Sequence, residues 1–88
     1  MQSKQHATRV ELNSDQLLTR QILASLTTKN LPPDDIRPEM LIHAELGIDS
    51  LKFIRLILEV EARAGRTIFN VETIAAIKTV DDLYTVLQ

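Results

Sequence analysis

Apolar residues recur at steps of three and four along several stretches of this chain, which is the spacing of an amphipathic helix. The first stretch follows Asn13 and Ser14, either of which is a suitable N-cap. Its apolar stripe consists of Leu17, Leu18, Ile22 and Leu26. The pattern predicts a first helix that packs this stripe against the rest of the protein.

A second helix is predicted from Asp49 or Ser50 to Gly65, because Asp is a preferred N-cap and no Gly or Pro interrupts the stretch. We expect two adjacent apolar stripes to form one wide buried face: Leu51, Ile54 and Leu58, and Phe53, Leu56, Ile57, Val60 and Ala64. The charged residues Lys52, Arg55, Glu59 and Arg63 are expected on the side that faces water.

Two further helices are predicted near the C-terminus. Asn70 can cap a brief third helix that carries Val71, Ile74, Ala75 and Ile77. Thr79 lies three residues before Asp82, an approximate capping box for a last helix with Val80, Leu83, Tyr84, Val86 and Leu87. The chain shows no alternating strand pattern. We therefore predict an all-α fold, a small four-helix bundle of three main helices plus one short helix.

The segment between the first two helices is predicted to be a long loop. Residues 29–45 contain three prolines, which remove backbone donors and break a long helix. Its apolar residues suggest a loop pinned to the core: Leu31, Ile36, Met40, Leu41 and Leu46. Residues 1–12 are expected to form a flexible N-terminal arm, and residues 13–88 the folded domain.

Composition excludes several classes of protein. With 88 residues there is room for one small domain. A net charge of −2 with scattered cations argues against a nucleic-acid partner. The absence of cysteine excludes disulfides and thiolate metal sites, and no metal site is expected. No apolar run suits a signal peptide or a membrane span. We expect a cytoplasmic protein with no membrane partner.

The segment from Leu46 to Leu51 reads LGIDSL, where a glycine turn and a capping Asp49 place the Ser50 hydroxyl on the first turn of a helix. The hydroxyl is expected to face outward. First-turn N–H groups are unpaired and the helix dipole is positive there, so an anionic phosphodiester on Ser50 would be stabilised.

This segment resembles the acyl and peptidyl carrier protein family, in which an L-G-x-D-S-[LI] motif carries the serine that receives 4′-phosphopantetheine from coenzyme A. The resemblance extends to Leu56, residues 61–65, Ile68 and the closing TVDDLYTVL, and covers roughly residues 13–88. It implies that Ser50 is the attachment point. It also implies that Asp49 serves both as the N-cap and in recognition by the transferase.

The resemblance further implies a discrete, non-catalytic carrier that holds intermediates as thioesters and visits separate enzymes, and for that reason we expect a monomer. Its partners would be a phosphopantetheinyl transferase, an acyl- or aminoacyl-loading enzyme, and downstream synthase or transferase enzymes. Candidate partner-binding residues are Leu51, Lys52, Ile54, Arg55 and Ile68. Leu46, Ile48, Phe53 and Ile74 are also candidates for the surface around the arm, with core packing as the alternative for each apolar residue.

The charge of the second helix departs from the fatty-acid members of this family, which usually present an acidic second helix to their enzymes. Residues 50–66 hold four cations against two anions, a net charge of +2, which leaves −4 for the rest of the chain. This balance is nearer to carriers of polyketide or nonribosomal peptide metabolism. For the charges, the alternative is a solvated helix face without a recognition role. For the pathway, the alternative is a carrier of fatty-acid synthesis.

Other functions fit less well. If Ser50 were a catalytic nucleophile, it would need a histidine as its general base, and only His43 is a candidate because His6 lies in the predicted arm. The G-x-S-x-G motif of serine hydrolases is also absent. An unmodified helical adaptor, a helix-turn-helix protein and a carrier that has lost its modification remain alternatives. Only two glycines and many β-branched residues suggest a tight core, so we expect the cargo to stay outside the bundle.

Overall fold

The computed structural model describes residues 11–88, and within them the chain forms four helices. These are α1 (Ser14–Leu26), α2 (Ser50–Ala64), α3 (Val71–Ala76) and α4 (Val80–Val86). The described part contains no strand beyond one isolated bridge between Leu41 and Thr79. The all-α fold class is confirmed, although α4 spans seven residues and is only one residue longer than α3.

Most of the predicted arm, residues 1–12, lies outside the described residues. Leu12, its last residue, is partly buried and packs against the core. The folded part of the chain therefore includes the residue that precedes the cap of α1.

Local capping signals fix where the helices begin and end. Asn13 is the N-cap of α1, and the side chains of Asn13 and Gln16 each accept a hydrogen bond from the other's backbone N–H. Thr79 and Asp82 form the capping box predicted for α4. α2 ends at Gly65, whose φ of 73° lies in the left-handed region that favours glycine.

The hydrophobic core lies between the helices and the loop that joins α1 to α2. Its fully buried large apolar residues come from α1, the loop, α2, α4 and the residue that follows α4, while α3 has no buried residue: Leu23, Ile42, Leu46, Ile48, Leu56, Val60, Val80, Leu83 and Leu87. α2 contributes Phe53 and Ile57 as well. The loop thus supplies core residues in the same way that the helices do.

Backbone hydrogen bonds fasten the loop to the start of α4. Ile42 N–H donates to Lys78 C=O, and Val80 N–H donates to Met40 C=O, each at 3.0 Å. Ile36 and Ile42 are buried, which confirms a pinned loop, and residues 33–35 form one turn of 3₁₀ helix. Leu41 is the exception among the predicted anchors, because it is exposed.

The predicted wide buried face of α2 is wrong for one of its two stripes. Leu51, Ile54 and Leu58 are 81%, 42% and 62% exposed, whereas the stripe that contains Leu56 and Val60 is buried. The other elements cover only one side of α2, so the second stripe remains at the surface. We call Leu51, Ile54 and Leu58 the exposed stripe.

Two other apolar residues also differ from the helical pattern. Leu17 is 41% exposed, and the polar residues Gln16 and Thr19 are buried on the same helix beside Ile22 and Leu23. The amide of Gln16 donates to Tyr84 C=O at 2.9 Å, which satisfies a buried polar group. Val71 is 82% exposed at the first position of α3.

Candidate functional site

The turn before α2 is anchored by buried side chains on either side of Gly47. Leu46 and Ile48 are both fully buried, and Gly47 between them has a φ of 69°. Of the two interpretations given for Leu46, Ile48 and Phe53, core packing is therefore confirmed, and the surface around the arm does not include them. These three side chains lie in the core and hold the turn in place.

Hydrogen bonds from distant parts of the chain fix the same turn. Leu46 C=O accepts the hydroxyl of Thr27 at 2.7 Å and the N–H of Thr28 at 3.2 Å. Ile48 N–H donates to Ile42 C=O at 3.2 Å. The C-terminal end of α1 and the preceding loop thus immobilise the residues that lead into α2.

His43 adds a further contact to this turn. Its Nδ1 lies 2.5 Å from Ile48 C=O, a hydrogen bond in which the ring nitrogen donates. The imidazole also packs edge-on against the Phe53 ring, with the centroids 5.5 Å apart. His43 therefore links the loop, the turn and the first part of α2.

Asp49 and Ser50 form the start of α2. The Asp49 carboxylate accepts Lys52 N–H at 2.9 Å, which confirms Asp49 as the N-cap. Ser50 is the first residue of a 15-residue helix and is exposed. A group attached to its hydroxyl would lie at the positive end of the helix dipole, where a phosphodiester is stabilised.

A shallow surface groove of about 410 Å³, open to solvent and lined only by residues of α2 and its N-cap, lies beside Ser50. The exposed stripe supplies its apolar surface, and Asp49, Lys52 and Arg55 supply its charged groups. Four of the five residues predicted to bind partners thus line one groove. The fifth, Ile68, does not line it: it is partly buried and packs against the core in the link between α2 and α3.

The link that contains Ile68 is held by a carboxylate that sequence reasoning did not identify. Glu61 accepts hydrogen bonds from Ile68 N–H and Phe69 N–H, each at 2.9 Å. These two donors, Phe69 foremost, hold the pKa of the Glu61 carboxyl below its usual value. Glu61 therefore sets how the chain leaves α2.

The chemistry available at the site is simple. Among residues 11–88, no three His, Asp or Glu side chains are grouped to hold a metal ion. None of the helices in this span is long and apolar enough to cross a membrane. The site offers one exposed hydroxyl on a rigid helix start, and a phosphodiester link to a prosthetic group requires no more than that.

Comparison with known families agrees with this chemistry. The profile of the phosphopantetheine attachment site family matches residues 18–87, which include the turn, all of α2 and the groove. No curated protein sequence matches the chain. Domains of this family carry covalently attached 4′-phosphopantetheine and are themselves non-catalytic. The match spans most of the chain, and the protein therefore belongs to the phosphopantetheine attachment site family of carrier proteins.

Proposed function

We propose that Ser50 is the residue that receives 4′-phosphopantetheine and that the chain acts as a discrete acyl or peptidyl carrier. The observation that carries this proposal is the position of Ser50, exposed at the first residue of α2 within the LGIDSL segment. When bound, the prosthetic group supplies a thiol on which acyl or aminoacyl units are held as thioesters.

The chain's own residues position the attachment point. Asp49 caps α2 through Lys52 N–H, so the helix begins at Ser50. Buried Leu46 and Ile48 fix the turn ahead of it. A transferase therefore meets a hydroxyl whose backbone is already ordered, and the entropy of ordering it is not added to the binding step.

Intact mass tests this proposal. The protein is incubated with coenzyme A and a broad-specificity phosphopantetheinyl transferase, and we expect a gain of one phosphopantetheine. Ser50→Ala should gain nothing while keeping its helical circular dichroism, because a substitution at an exposed helix start changes stability by only about 0.5 kcal/mol.

Ser14→Ala is the matched control, since Ser14 is also an exposed first helical residue that follows a capping side chain. We expect it to be modified like the wild type. Modification of Ser50→Ala would move the attachment point to another residue. No mass gain in the wild type would favour an unmodified helical adaptor or a carrier that has lost its modification.

We further propose that the groove on α2 is the partner-binding surface and that the partners belong to polyketide or nonribosomal peptide metabolism. Lys52 and Arg55 flank the apolar stripe there, and residues 50–66 carry a net charge of +2. An enzyme with acidic groups around an apolar contact complements this surface. The basic patches of enzymes that act on acidic fatty-acid carriers would be repelled by it.

Charge reversal separates this proposal from the fatty-acid alternative. Purified holo-protein is offered to a malonyl transferase of bacterial fatty-acid synthesis, so that the attachment step does not affect the result. We expect slow transfer to the wild type and faster transfer to Lys52→Glu/Arg55→Glu. Arg63→Glu is the control, because Arg63 is exposed on the same helix but does not line the groove. Rapid transfer to the wild type, with no gain on charge reversal, would support the fatty-acid alternative.

A further inference from the structure

His43 holds the last peptide before α2. Its Nδ1 donates to Ile48 C=O, and that carbonyl belongs to the peptide that joins Ile48 to Asp49, the N-cap of the helix. A carbonyl oxygen only accepts, so the proton of this hydrogen bond is on Nδ1. Rotation of this rigid peptide plane would change the φ of Asp49. The bond from His43 therefore opposes a change in how the chain enters α2.

The other contacts of Ile48 leave this rotation free. Ile48 N–H donates to Ile42 C=O at 3.2 Å, and the Ile48 side chain is fully buried. These contacts fix the nitrogen and the side chain, but the carbonyl still turns about ψ, one of the two soft dihedral angles of each residue. The bond from His43 acts on that remaining degree of freedom.

The imidazole of His43 is itself held by α2. It packs against the Phe53 ring with the centroids 5.5 Å apart and the planes at 76°, a favourable edge-to-face geometry. Phe53 is buried and lies three residues after Ser50, on the next turn of the helix. His43 thus contacts the chain two residues before Ser50 and three residues after it.

These two contacts, and not burial, are what His43 contributes. Its side chain is exposed, whereas Ile42 beside it is fully buried in the core. An exposed ring gains little from the hydrophobic effect, which is proportional to the apolar area removed from water. The effect of His43 is therefore concentrated on the chain that surrounds Ser50.

We propose that His43 is a positioning residue for the modification of Ser50. It acts through the backbone, by holding the Ile48–Asp49 peptide in the orientation that the transferase binds. This inference rests on the proposed function, in which Ser50 is the modified residue. Without the bond, part of the entropy of ordering the start of α2 is added to the binding step. The loss is expected in KM for the carrier, with kcat unchanged.

The test is a steady-state assay in which the full-length apo-protein is the varied substrate of a broad-specificity phosphopantetheinyl transferase, with coenzyme A saturating. His43→Ala removes both contacts, His43→Phe keeps a ring without the donor, and His43→Asn keeps an N–H donor without the ring. We expect KM to rise about three- to tenfold for the Ala and Phe variants, the loss of one hydrogen bond. His43→Asn should restore KM to about the wild-type value.

Asn13→Ala is the control for a general loss of stability. Asn13 caps α1 at its N-terminal end, whereas the C-terminal end of α1 contacts the turn before α2. This variant should therefore be less stable than the wild type and keep the wild-type KM. Circular dichroism at the assay temperature shows that each variant is folded.

NMR of the ¹⁵N-labelled apo-protein tests the hydrogen bond without the transferase. The imidazole nitrogens are observed at mildly alkaline pH, and we expect the neutral ring of His43 to carry its proton on Nδ1. His43→Asn identifies the signals, since His6 is the only other histidine.

Several results would overturn the positioning role. They are a proton on Nε2 instead of Nδ1, equal KM values for the wild type, His43→Ala and His43→Phe, and a KM for His43→Asn as high as that for His43→Ala. An equal rise for Asn13→Ala would reduce the effect to stability. No modification of the wild type would overturn the proposed function and this inference together, whereas a modified wild type with unaffected His43 variants would overturn this inference alone.

Discussion

Gly47 and Gly65 offer a matched pair for testing how the turn before α2 is held. Both have left-handed backbones, with φ of 69° and 73°. A Cβ added at Gly65 meets nothing within 4 Å, whereas one added at Gly47 overlaps the Thr28 hydroxyl oxygen. Alanine therefore introduces the same backbone strain at both positions and a steric clash at only one of them.

The magnitudes follow from these contacts. A left-handed alanine costs about 1 to 2 kcal/mol relative to glycine, which is our expectation for Gly65→Ala. In Gly47→Ala the Thr28 side chain must also move, which disturbs the bonds from Thr27 and Thr28 to Leu46 C=O. Each such bond contributes about 0.5 to 1.5 kcal/mol, so Gly47→Ala should cost about 2 to 5 kcal/mol in total.

Urea denaturation followed by circular dichroism measures both free energies of unfolding. A second variant isolates the clash. Thr28→Ala removes the overlapping hydroxyl oxygen, and the Cβ of residue 28 then lies at an ordinary 3.5 Å from the Cβ added at position 47. Thr28→Ala/Gly47→Ala should therefore be more stable than the two single losses predict. Equal losses for Gly47→Ala and Gly65→Ala, with no coupling to Thr28, would refute the argument.

Three other predictions concern stability. Leu56→Ala should lose about 2 to 5 kcal/mol on urea denaturation, because Leu56 is fully buried. Leu51→Ala, on the same helix but 81% exposed, should change stability by about 0.5 kcal/mol or less. Asn13→Ala should lower the free energy of unfolding by about 1 to 2 kcal/mol, since Asn13 caps α1 and donates to Leu87 C=O at 2.8 Å; an unchanged urea midpoint would contradict this. The pKa of the Glu61 carboxyl is lower in the folded state than in the unfolded state. The ionised carboxylate therefore adds its full contribution to the free energy of unfolding at pH values above the unfolded-state pKa, and this contribution is lost as the pH falls through the folded-state pKa. Glu61→Gln should therefore lose more stability, relative to the wild type, at pH 7 than at pH 3, and an equal loss at both would argue against the carboxylate's role.

The helix boundaries were predictable because their signals are local. Asn13, Asp49, Asn70 and Thr79 each cap a helix through a backbone N–H three residues later, and such a bond depends only on the neighbouring sequence. Gly65 ends α2 for a similarly local reason, its left-handed backbone. The pinned loop was also predictable, from the apolar residues among its prolines.

The exposed stripe and the contacts of the turn were not predictable, because they depend on tertiary packing. Helical spacing shows that Leu51 and Leu56 lie on different stripes, but not which stripe the rest of the bundle covers. The bond from Thr27 to Leu46 spans 19 residues, and no local pattern indicates it. The Glu61 carboxylate likewise acts on backbone groups seven and eight residues away.

The proposed function assigns stability to the buried stripe of α2 and partner recognition to the exposed stripe. The buried stripe fixes the helix, so the apolar residues of the exposed stripe add little to folding, yet they leave hydrophobic surface in water. Leu58 lies eight residues after Ser50, about 12 Å along a helix that rises 1.5 Å per residue. A partner that covers the exposed stripe is therefore brought within that distance of the attachment point. Substitutions there should impair transfer between enzymes and spare the fold, whereas substitutions at Leu56 or Val60 should impair the fold first.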